Sequence, residues 1–546
     1  MELSTAWVKP PSQIGGLDHL AVQAPCINIY GRLLPGITNA TDRARYYSFY
    51  PWIVWALKQS GYKFNDIFID RFRKADCLFT LIAERHAHVT GTDRDNHSAA
   101  TVGSLNLSKQ ISDVREGKTV RLSDYAHREE GKHKYFKNEL GGLGQYYLGV
   151  FSELDIMDGT VRSGVKYTNQ IGQVLAQAMD NYVLSDLFIE TIEEDVVSSD
   201  RLDQLSCFCP CQLTSSKEEH ALLCDLFFVK GLFADLNMLP RRRSLQTILY
   251  LADDLAKQGL SIDLSQFRGC VYSNALPNGQ SWELPEDLKP NRKRWSIYQR
   301  NELLSIAAQG LFYVLLDAYE ESGQHFDSVD NLCRWFVSTP EVESIKDFFG
   351  LETPFGKMEM ECRDWLPGLA NWTHADHEIQ QANKVVDLCN QKKTTSNRSG
   401  IIKACLKVLL TLKIRSETAE GYGGFVFPAN YFQVYPINLN SFLNFSENEW
   451  KDLSVKKWIV WLCSNWGVNV HLQVALRKLR GQSQSTFRIR PSDFGLEVID
   501  VPKAVFTSPR FNQALRILKD IGALIKEGDT WEISELGMML KETNDA

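Results

Sequence analysis

The stretch LKDIGALIKEGDTWEISELG, residues 518–537, decides the predicted fold of this chain. It contains the end of a helix, a short apolar strand, a polar turn, a second strand and the start of another helix. Ser534 stands where the N-cap of that last helix is expected, because its hydroxyl can accept a hydrogen bond from a free backbone N–H. The stretch therefore predicts a compact helix–hairpin–helix module.

A second stretch with the same order lies in the first half of the chain. GQYYLGVFSELDIM is followed by the hairpin DGTVRSGVKY and by the helix TNQIGQVLAQAMDNYV. The two stretches can be matched residue by residue, with these pairs: Leu154 and Ile521, Thr168 and Ser534, Gly172 and Gly537. Because helix, wing-like hairpin and capped helix follow each other as in a winged helix, the sequence predicts two winged-helix-like modules.

The other segments predict helices. RWSIYQRNELLSIAAQGLFYVLLDAYEESG carries apolar residues at three- and four-residue steps, and the polar stretch QKKTTSNRSG, 391–400, is the best candidate for a linker. We expect a mainly α, multi-domain protein with a helical core and two winged-helix-like modules. The predicted domains are a helical N-terminal domain at 1–130, a winged-helix-like module at 131–200, a helical middle domain at 201–390 and a helical C-terminal domain at 401–546 that ends in the second module.

Composition limits the possible classes of function. The chain has 546 residues, of which 44% are hydrophobic and 11% aromatic, which argues against disorder. A formal net charge of -7 argues against an overall basic nucleic-acid coat, so DNA contacts would have to be local. The 12 cysteines are scattered and fit reduced thiols. With no signal peptide or bilayer-length apolar run, we expect a cytoplasmic protein without a membrane partner or small-molecule substrate.

Catalytic motifs are weak. Gly117-Lys118-Thr119 lacks the first glycine of a phosphate-binding loop, because Ser112 stands at that position. Arg128 and His133 have a spacing used by some ribonucleases, but a match to two residues is expected by chance. We therefore expect no catalytic residues and a non-enzymatic protein, with an unrecognised metal-dependent nuclease as an alternative.

The segment CFCPCQLTSSKEEHALLC concentrates thiols around His220. Thiolates and imidazoles are good zinc ligands, but C-x-C-x-C is not the usual C-x₂-C knuckle. Buried structural cysteines are therefore the favoured interpretation, no cofactor is expected, and zinc is the alternative. The candidate zinc ligands are Cys207, Cys209, Cys211 and Cys224. Two further metal candidates are the groups His86, His88, Asp93, Asp95 and His97, and His374, Asp376, His377 and Glu378.

Three basic patches could bind DNA phosphates, with a solvated or salt-bridged surface as the alternative. The candidate DNA-binding residues are Arg241, Arg242 and Arg243, then Arg292, Lys293 and Arg294, and then Arg477, Lys478, Arg480, Arg488 and Arg490. The last patch is the strongest candidate, because a basic helix end leads there into an arginine-bearing strand.

The C-terminal module has the wrong charge for reading DNA. Residues 508–546 contain five Lys and Arg but seven Asp and Glu, and the hairpin itself carries Glu527, Asp529 and Glu532. Carboxylates repel the phosphate backbone, so we expect this module to dock on protein. The candidate docking residues are Leu518, Ile521, Leu524, Trp531 and Leu536.

Three stretches carry a family resemblance: LLPGITNATDRARYYSFYPWIVWAL, GLGQYYLGVFSELDIMDG and WSIYQRNELLSIAAQGLF. They resemble accessory subunits of bacterial anti-phage and anti-plasmid defence systems of the Lamassu type. Winged-helix modules at both ends of a helical subunit are similar to the kleisin and kite proteins that clasp SMC-like ATPases. The resemblance implies a bridging subunit that docks on an SMC-like ATPase and an effector nuclease and reaches double-stranded DNA through the complex. A stand-alone winged-helix DNA-binding regulator is the other alternative.

Overall fold

The computed structural model describes residues 12–13, 18–91, 94–129, 134–160, 162–417, 421–479 and 484–542. Within these residues the chain forms 24 α-helices and ten short strands. The expectation of a mainly α protein with small hairpins is confirmed.

The α-helices follow one another along the whole chain. In chain order they are α1 (Gln23–Leu33), α2 (Tyr46–Gln59), α3 (Asp66–Thr90), α4 (Ser108–Arg115), α5 (Ser123–Ala126), α6 (Leu148–Glu153), α7 (Gly172–Asp180), α8 (Ser185–Glu194), α9 (Ser199–Gln204), α10 (Lys217–Phe228), α11 (Leu239–Ala256), α12 (Leu264–Ser273), α13 (Lys289–Ser322), α14 (Val329–Phe336), α15 (Pro340–Glu343), α16 (Phe355–Cys362), α17 (Glu378–Cys389), α18 (Thr395–Ser416), α19 (Tyr431–Val434), α20 (Leu439–Asn448), α21 (Val455–Trp461), α22 (Val470–Leu479), α23 (Phe511–Asp520) and α24 (Glu535–Lys541).

The strands form five two-stranded sheets in the described residues. They are β1 (Ser12–Gln13), β2 (Val120–Arg121), β3 (Met157–Thr160), β4 (Gly164–Tyr167), β5 (Val196–Val197), β6 (Gln484–Ser485), β7 (Ile489–Ser492), β8 (Gly495–Val498), β9 (Leu524–Glu527) and β10 (Thr530–Ile533). β1 pairs with β6 in parallel, whereas β2–β5, β3–β4, β7–β8 and β9–β10 are antiparallel. The part of the chain that the structure describes also has two π-helical stretches, Leu143–Tyr147 and Leu462–Asn469.

The chain divides into two compact units. The first unit comprises Met1–Tyr30 and Ser265–Pro509, and the second comprises Gly31–Leu264 and Arg510–Ala546. Each unit therefore combines segments that are far apart in sequence. The division into four consecutive domains stays a prediction, although α18 begins within the stretch 391–400 that was expected to be a linker.

The first unit is built around α13, which packs against α17 and α18. This helix is long and apolar enough to cross a membrane, but 94% of its most apolar window is buried inside the fold. A helix that is apolar on all sides belongs in a core. Its surroundings are compatible with the expected soluble protein.

A buried histidine, His471, lies in the first turn of α22 in the first unit. His471 lies between two backbone groups: its Nδ1 is 3.1 Å from the carbonyl oxygen of His19, and its Nε2 accepts a hydrogen bond of 2.8 Å from the Arg488 N–H. This arrangement fits only a neutral ring with its proton on Nδ1. Burial, together with the charges of Arg488 and Lys478, lowers the pKa of His471 to about 4.

We predict that His471 makes the first unit sensitive to acid. Its pKa in the folded state is below the ordinary value of about 6.5, so the unfolded chain takes up the proton first. Neutral His471 makes its full contribution to the free energy of unfolding above pH 6.5. This contribution is lost as the pH falls, and at pH 5 the free energy of unfolding is lower by about 2 kcal/mol because of this one group. Urea unfolding of the full chain at pH 7 and pH 5 measures the loss.

His471→Gln keeps an acceptor for the Arg488 N–H but cannot titrate, so it should reduce the difference between pH 7 and pH 5. His325→Gln in the same unit is the control, because His325 is exposed. An equal pH dependence in wild type and His471→Gln would refute the role of this histidine.

The second unit has an aromatic core around α2. The sequence YYSFYPWIVWALKQ makes this helix apolar on nearly every side, and most of it is buried. Tyr46 and Tyr50 pack against Tyr147 with ring centroids 5.2 Å apart, and Tyr47 packs against Phe151 at 5.4 Å. α2 also lies along α7. Two of the stretches that carry the family resemblance therefore form one core.

The two helix–hairpin–helix modules, both in the second unit, repeat one detailed arrangement. Thr168 Oγ1 accepts from the Gly172 N–H at 2.9 Å, and Ser534 Oγ accepts from the Gly537 N–H at 3.0 Å. A Cβ at either glycine would lie 2.1 Å from a carbonyl oxygen, that of Ile156 or of Ala523 respectively, so only glycine allows the approach. The predicted matches of Thr168 with Ser534 and of Gly172 with Gly537 are confirmed, because each pair makes the same hydrogen bond and the same close backbone approach.

The C-terminal module packs within its own unit. β10 and α24 lie against α11, and the Lys541 ammonium is 2.5 Å from the Asp253 carboxylate. Leu518, Ile521 and Leu524 are buried. These three predicted docking residues are therefore not available to a partner, because this chain already covers them.

The remaining two predicted docking residues, Trp531 and Leu536, are half-buried. The backbone N–H of Trp531 donates to Ser261 Oγ at 3.0 Å. This bond anchors β10 next to the end of α11. The exposed residues of the module include Glu527 and Asp529 at the hairpin tip and Met538 and Met539 on α24.

Candidate metal centre

Four metal-ligating side chains converge in the second unit. The side chains of His86, His97, Cys209 and Cys211 each offer one ligand atom, and these atoms all lie within 4.8 Å of one another. The four residues come from three separate segments of the chain. Such a convergence of imidazoles and thiols is the donor set of a Cys₂His₂ zinc site.

Local structure explains how α3 presents His86. The Asn65 side chain accepts from the Phe68 N–H and caps the start of the helix, and Gly91 ends it in the left-handed conformation. His86 lies in the penultimate turn, and His97 follows the 3-10 turn Arg94–Asn96. The short stretch beyond the helix thus returns the second histidine toward the first.

The cysteines are presented by a pair of 3-10 turns, Ser206–Phe208 and Pro210–Ser215. Cys209 lies between the turns, and Cys211 lies in the second turn. Pro210 begins that turn, where its missing N–H is not needed.

The distances fit tetrahedral zinc. His97 Nδ1 is 3.3 Å from Cys209 Sγ, and His86 Nδ1 is 3.3 Å from Cys211 Sγ. The two imidazole rings lie 4.9 Å apart at 85°. With Zn–S about 2.3 Å and Zn–N about 2.0–2.1 Å, a tetrahedron places ligand atoms roughly 3.3–3.8 Å apart. The group can therefore coordinate one zinc ion with only small movements.

The site is enclosed on one side. Cys209 and His97 are buried, whereas His86 and Cys211 are half-buried. An ion can reach the centre past the half-buried pair, while the buried pair keeps water from the opposite side. All four positions of a tetrahedral ion would be filled by protein, which is typical of a structural site.

Electrostatics favours one thiolate in the group. The hydrogen bond from the Cys209 thiol, with His86 and His97 beside it, lowers the pKa of Cys211 well below its usual value. Burial raises the pKa of Cys209 well above its usual value. The hydrogen bond with Cys211 raises the pKa of His86. Thiolate is the form of cysteine that binds metal.

Arg43, just before α2, holds the loop that carries His97. Its guanidinium is buried and donates to the carbonyl oxygens of His97 at 3.1 Å and Ala99 at 2.9 Å. Its Nε pairs with Asp520 at the end of α23 at 2.9 Å. The C-terminal module is thereby tied to the histidine side of the centre.

Arg45, the residue that precedes the first turn of α2, holds the cysteine loop. It donates to the carbonyl oxygens of Cys207 and Cys209, both at 2.6 Å. Glu219 neutralises it at 3.0 Å with both side chains fully buried, and Ser48 donates to the same carboxylate at 2.5 Å. One short segment of the chain thus positions ligands from both loops.

The predicted zinc set is therefore corrected. Cys209 and Cys211 join the cluster, but Cys207 and Cys224 do not belong to it. Cys224 lies near His220, whose Nε2 contacts the Ile521 carbonyl oxygen at 2.8 Å. The missing ligands are the two histidines, which the sequence offered only as a separate group.

The other predicted metal ligands serve other contacts or face solvent. His88 and His374 are exposed, Asp95 pairs with Lys526 at 2.6 Å and Asp376 pairs with Lys407 at 2.7 Å. Glu378 lies beside His377 and pairs with Arg415 at 2.9 Å. Asp93 lies outside the described residues.

Several of the predicted DNA-binding residues are buried inside the fold. Arg241 is only 1% exposed and donates to the carbonyl oxygens of Leu226, Phe227 and Pro35, and Arg242 is also buried. These two arginines cannot reach a DNA backbone in this fold, which corrects the prediction for them. Arg243 is half-buried.

The patch at residues 477–490, which was the strongest candidate, also contains both buried and exposed residues. Arg488 is buried and pairs with Asp500 at 2.9 Å, and Lys478 is half-buried and donates to the Asp18 carbonyl oxygen at 2.5 Å. Arg477 and Arg490 are exposed, but Arg490 pairs with Glu497 across β7 and β8. Arg480 lies outside the described residues. The patch therefore offers less free positive charge than its sequence suggests.

In the remaining patch, Lys293 is exposed and Arg292 and Arg294 are half-buried. The Arg294 guanidinium lies over the Phe425 ring, 5.8 Å from its centroid.

Comparisons with protein-family models, with curated proteins and with solved structures found no match for this chain.

We predict that Arg45→Met destabilises the protein by about 3–5 kcal/mol, because it leaves Glu219 charged and buried without its partner. Urea unfolding monitored by tryptophan fluorescence measures the change in the free energy of unfolding.

Arg85→Met is the matched control, since Arg85 also pairs with a carboxylate through two bonds but in a partly exposed position. Its loss should cost about 1 kcal/mol or less. Similar losses in the two variants would contradict the structural role assigned to Arg45.

Proposed function

We propose that this chain is a non-enzymatic helical scaffold whose second unit is stabilised by one structural zinc ion. The observation that carries the proposal is the convergence of His86, His97, Cys209 and Cys211 from three segments. A tetrahedral S₂N₂ donor set favours zinc among the common ions. Four protein ligands would leave no open position for a substrate, so the ion would stabilise the fold and not take part in chemistry.

The supports of the site strengthen this proposal. Arg43 and Arg45 lie in the stretch LLPGITNATDRARYYSFYPWIVWAL, and each holds a loop that carries a ligand. A metal ion would fix these loops relative to each other and, through Asp520, to the C-terminal module. The gain in stability would be the binding free energy of the ion to the folded state.

We predict that the purified protein contains one zinc ion per chain and that Cys211→Ser removes it. Elemental analysis of the protein, after dialysis against metal-free buffer, gives the stoichiometry. Loss of the ion in Cys211→Ser should be accompanied by a lower unfolding temperature, and a strong chelator should lower that of the wild type in the same way.

Cys207→Ser and Cys224→Ser are matched controls, because both thiols lie in the same cysteine-rich segment but outside the cluster. Both variants should keep their zinc. Wild-type protein free of zinc, or equal zinc in Cys211→Ser, would overturn the proposal. A disulfide between Cys209 and Cys211, detected by mass spectrometry in the protein as purified, would do the same.

We also propose that this scaffold works as a bridging subunit of a bacterial anti-phage defence complex of the Lamassu type. It would dock on an SMC-like ATPase and an effector nuclease, with DNA reached through the complex. The family resemblance and the two helix–hairpin–helix modules, interpreted as winged-helix modules, support this role. The exposed carboxylates of Glu527 and Asp529 suit a basic protein surface better than DNA.

We predict that the chain co-purifies with an SMC-like ATPase expressed with it from the same locus. Glu527→Lys with Asp529→Lys should weaken the complex, because it reverses the charge of the hairpin tip. The control is Glu283→Lys with Asp287→Lys, which reverses two exposed carboxylates of the first unit. A chain that stays monomeric beside every protein encoded next to it would contradict the bridging role.

A stand-alone DNA-binding regulator has less support. Arg241, Arg242 and Arg488 are buried, and the hairpin tip of the C-terminal module is acidic. Phosphate contacts need accessible guanidinium or ammonium groups.

A further inference from the structure

A cavity of about 320 Å³ lies in the second unit, beside the hairpin of the C-terminal module. One wall is a face of α23, which carries Asn512, Leu515 and Lys519 at steps of three and four residues. The hairpin β9–β10, the turn Arg94–Asn96 and residues 262–264 complete the lining. Three carboxylates, three cations, one amide and four apolar side chains thus face one enclosed space.

Two of the three cations already have a carboxylate partner. The Lys526 ammonium is 2.6 Å from the Asp95 carboxylate, and the Arg516 guanidinium is 2.5 Å from that of Asp42. The third cation is different. Among the residues that the structure describes, the Lys519 ammonium has neither an ion pair nor a hydrogen bond, although its side chain is half-buried.

Burial makes this ammonium group costly. It lowers the pKa of Lys519. The charges of Asp95 and Asp520 raise that pKa without forming an ion pair. The nearby cations Arg43 and Lys526 lower it further. An ammonium group that has lost part of its water without gaining a hydrogen-bonded partner is stabilised when an anion enters beside it.

A carboxylate at the hairpin tip complements this cation. Asp529, in the turn between β9 and β10, lines the same cavity and is exposed. Within the described part of the chain its carboxylate forms no ion pair, and its backbone carbonyl oxygen accepts from Ser261 Oγ at 3.4 Å. One ligand could therefore meet two available charges of opposite sign.

The apolar part of the lining suits a hydrocarbon group. Ile262 and Leu515 are buried, and Leu264 and Trp531 are half-buried. The Lys526 ammonium lies 5.7 Å from the centroid of the Trp531 ring. Covering these side chains with an apolar group removes hydrophobic surface from water and favours binding.

We infer that this cavity binds a free α-amino acid with an apolar side chain. The α-carboxylate pairs with Lys519, the α-ammonium group pairs with Asp529, and the side chain lies against the apolar lining. The Asn512 amide offers a further hydrogen bond. A volume of about 320 Å³ is at the small end of the range for ligand cavities, which suits a ligand of this size.

An amino acid fits this charge pattern better than a phosphate does. The carboxylates of Asp263 and Asp529 repel a dianion, whereas a single carboxylate needs only the ammonium of Lys519. The end of a peptide carries only one of the two charges, so it would leave either Lys519 or Asp529 without a partner. The inference goes beyond the proposed scaffold and does not depend on it, because no proposed zinc ligand lines the cavity.

The test is calorimetric titration of the purified full-length protein with L-phenylalanine and with L-leucine at low ionic strength. We expect saturable binding of one ligand per chain. Two analogues of phenylalanine each lack one charge: 3-phenylpropionate lacks the ammonium group and 2-phenylethylamine lacks the carboxylate. Each should bind about tenfold or more weakly, because one charge-assisted hydrogen bond is lost. Glycine should also bind more weakly, since it leaves the apolar lining uncovered.

Neutral substitutions assign the two charges. Lys519→Gln should weaken the binding of phenylalanine and 3-phenylpropionate but leave that of 2-phenylethylamine unchanged, and Asp529→Asn should do the reverse for the two analogues. Lys217→Gln and Glu527→Gln are the matched controls. Both remove an exposed charge of the second unit that does not line the cavity, so both should bind phenylalanine like the wild type.

Three results would overturn the inference. They are the absence of saturable binding at millimolar phenylalanine and leucine, equal affinity for phenylalanine and 3-phenylpropionate, and an equal loss of affinity in Lys519→Gln and Lys217→Gln. Asp529 also belongs to the hairpin tip proposed for docking. Because these titrations use the purified chain alone, their outcome is independent of whether a complex with an ATPase forms.

Discussion

The buried pair of Arg45 and Glu219, with its neighbour Arg43 and Asp520, is the constraint on which the second unit depends. Removing a guanidinium from water is costly, so each one must be matched by a carboxylate and by carbonyl oxygens. Here those carbonyl oxygens belong to the loops that carry His97 and Cys209. The requirements of two buried charges therefore fix the backbone that presents the candidate metal ligands, and Asp520 makes the C-terminal module part of the same network.

Burial within its own unit also explains why the apolar residues of the C-terminal module are not available to a partner. Its apolar face had been expected to hold a partner, but α11 and neighbouring segments of its own unit cover Leu518, Ile521 and Leu524. Burial of three aliphatic side chains stabilises the fold by several kcal/mol, at about 1.5–3 kcal/mol for each. A partner would have to compete with that gain. Glu527 and Asp529 at the hairpin tip and Met538 and Met539 on α24 stay exposed to solvent.

Sequence reasoning was strongest where a pattern is local. The helical periodicity of α13 and the cap-and-glycine pairs Thr168–Gly172 and Ser534–Gly537 were found from the sequence, because each depends on residues a few positions apart. The candidate metal ligands were only half predicted. His97 and Cys209 are 112 residues apart, and His86 and Cys211 are 125 apart, so no spacing rule connects them. Two of the four predicted cysteines, Cys209 and Cys211, belong to the candidate cluster, and its two histidines come from another part of the sequence.

The sequence by itself determined a helical protein, the positions of the hairpins β3–β4 and β9–β10, and which residues carry thiols, imidazoles and positive charge. Only the tertiary structure decided where those groups meet and which of them reach solvent. Periodicity shows that the helix face that carries Leu518 must be buried, but it does not show which segment of the chain covers that face. Likewise, Arg241 and Lys293 are equal in sequence as cations, yet one lies inside the fold and the other lines an open cavity. The reason is physical: burial and pairing are properties of packed surfaces, and packing joins residues that are distant along the chain.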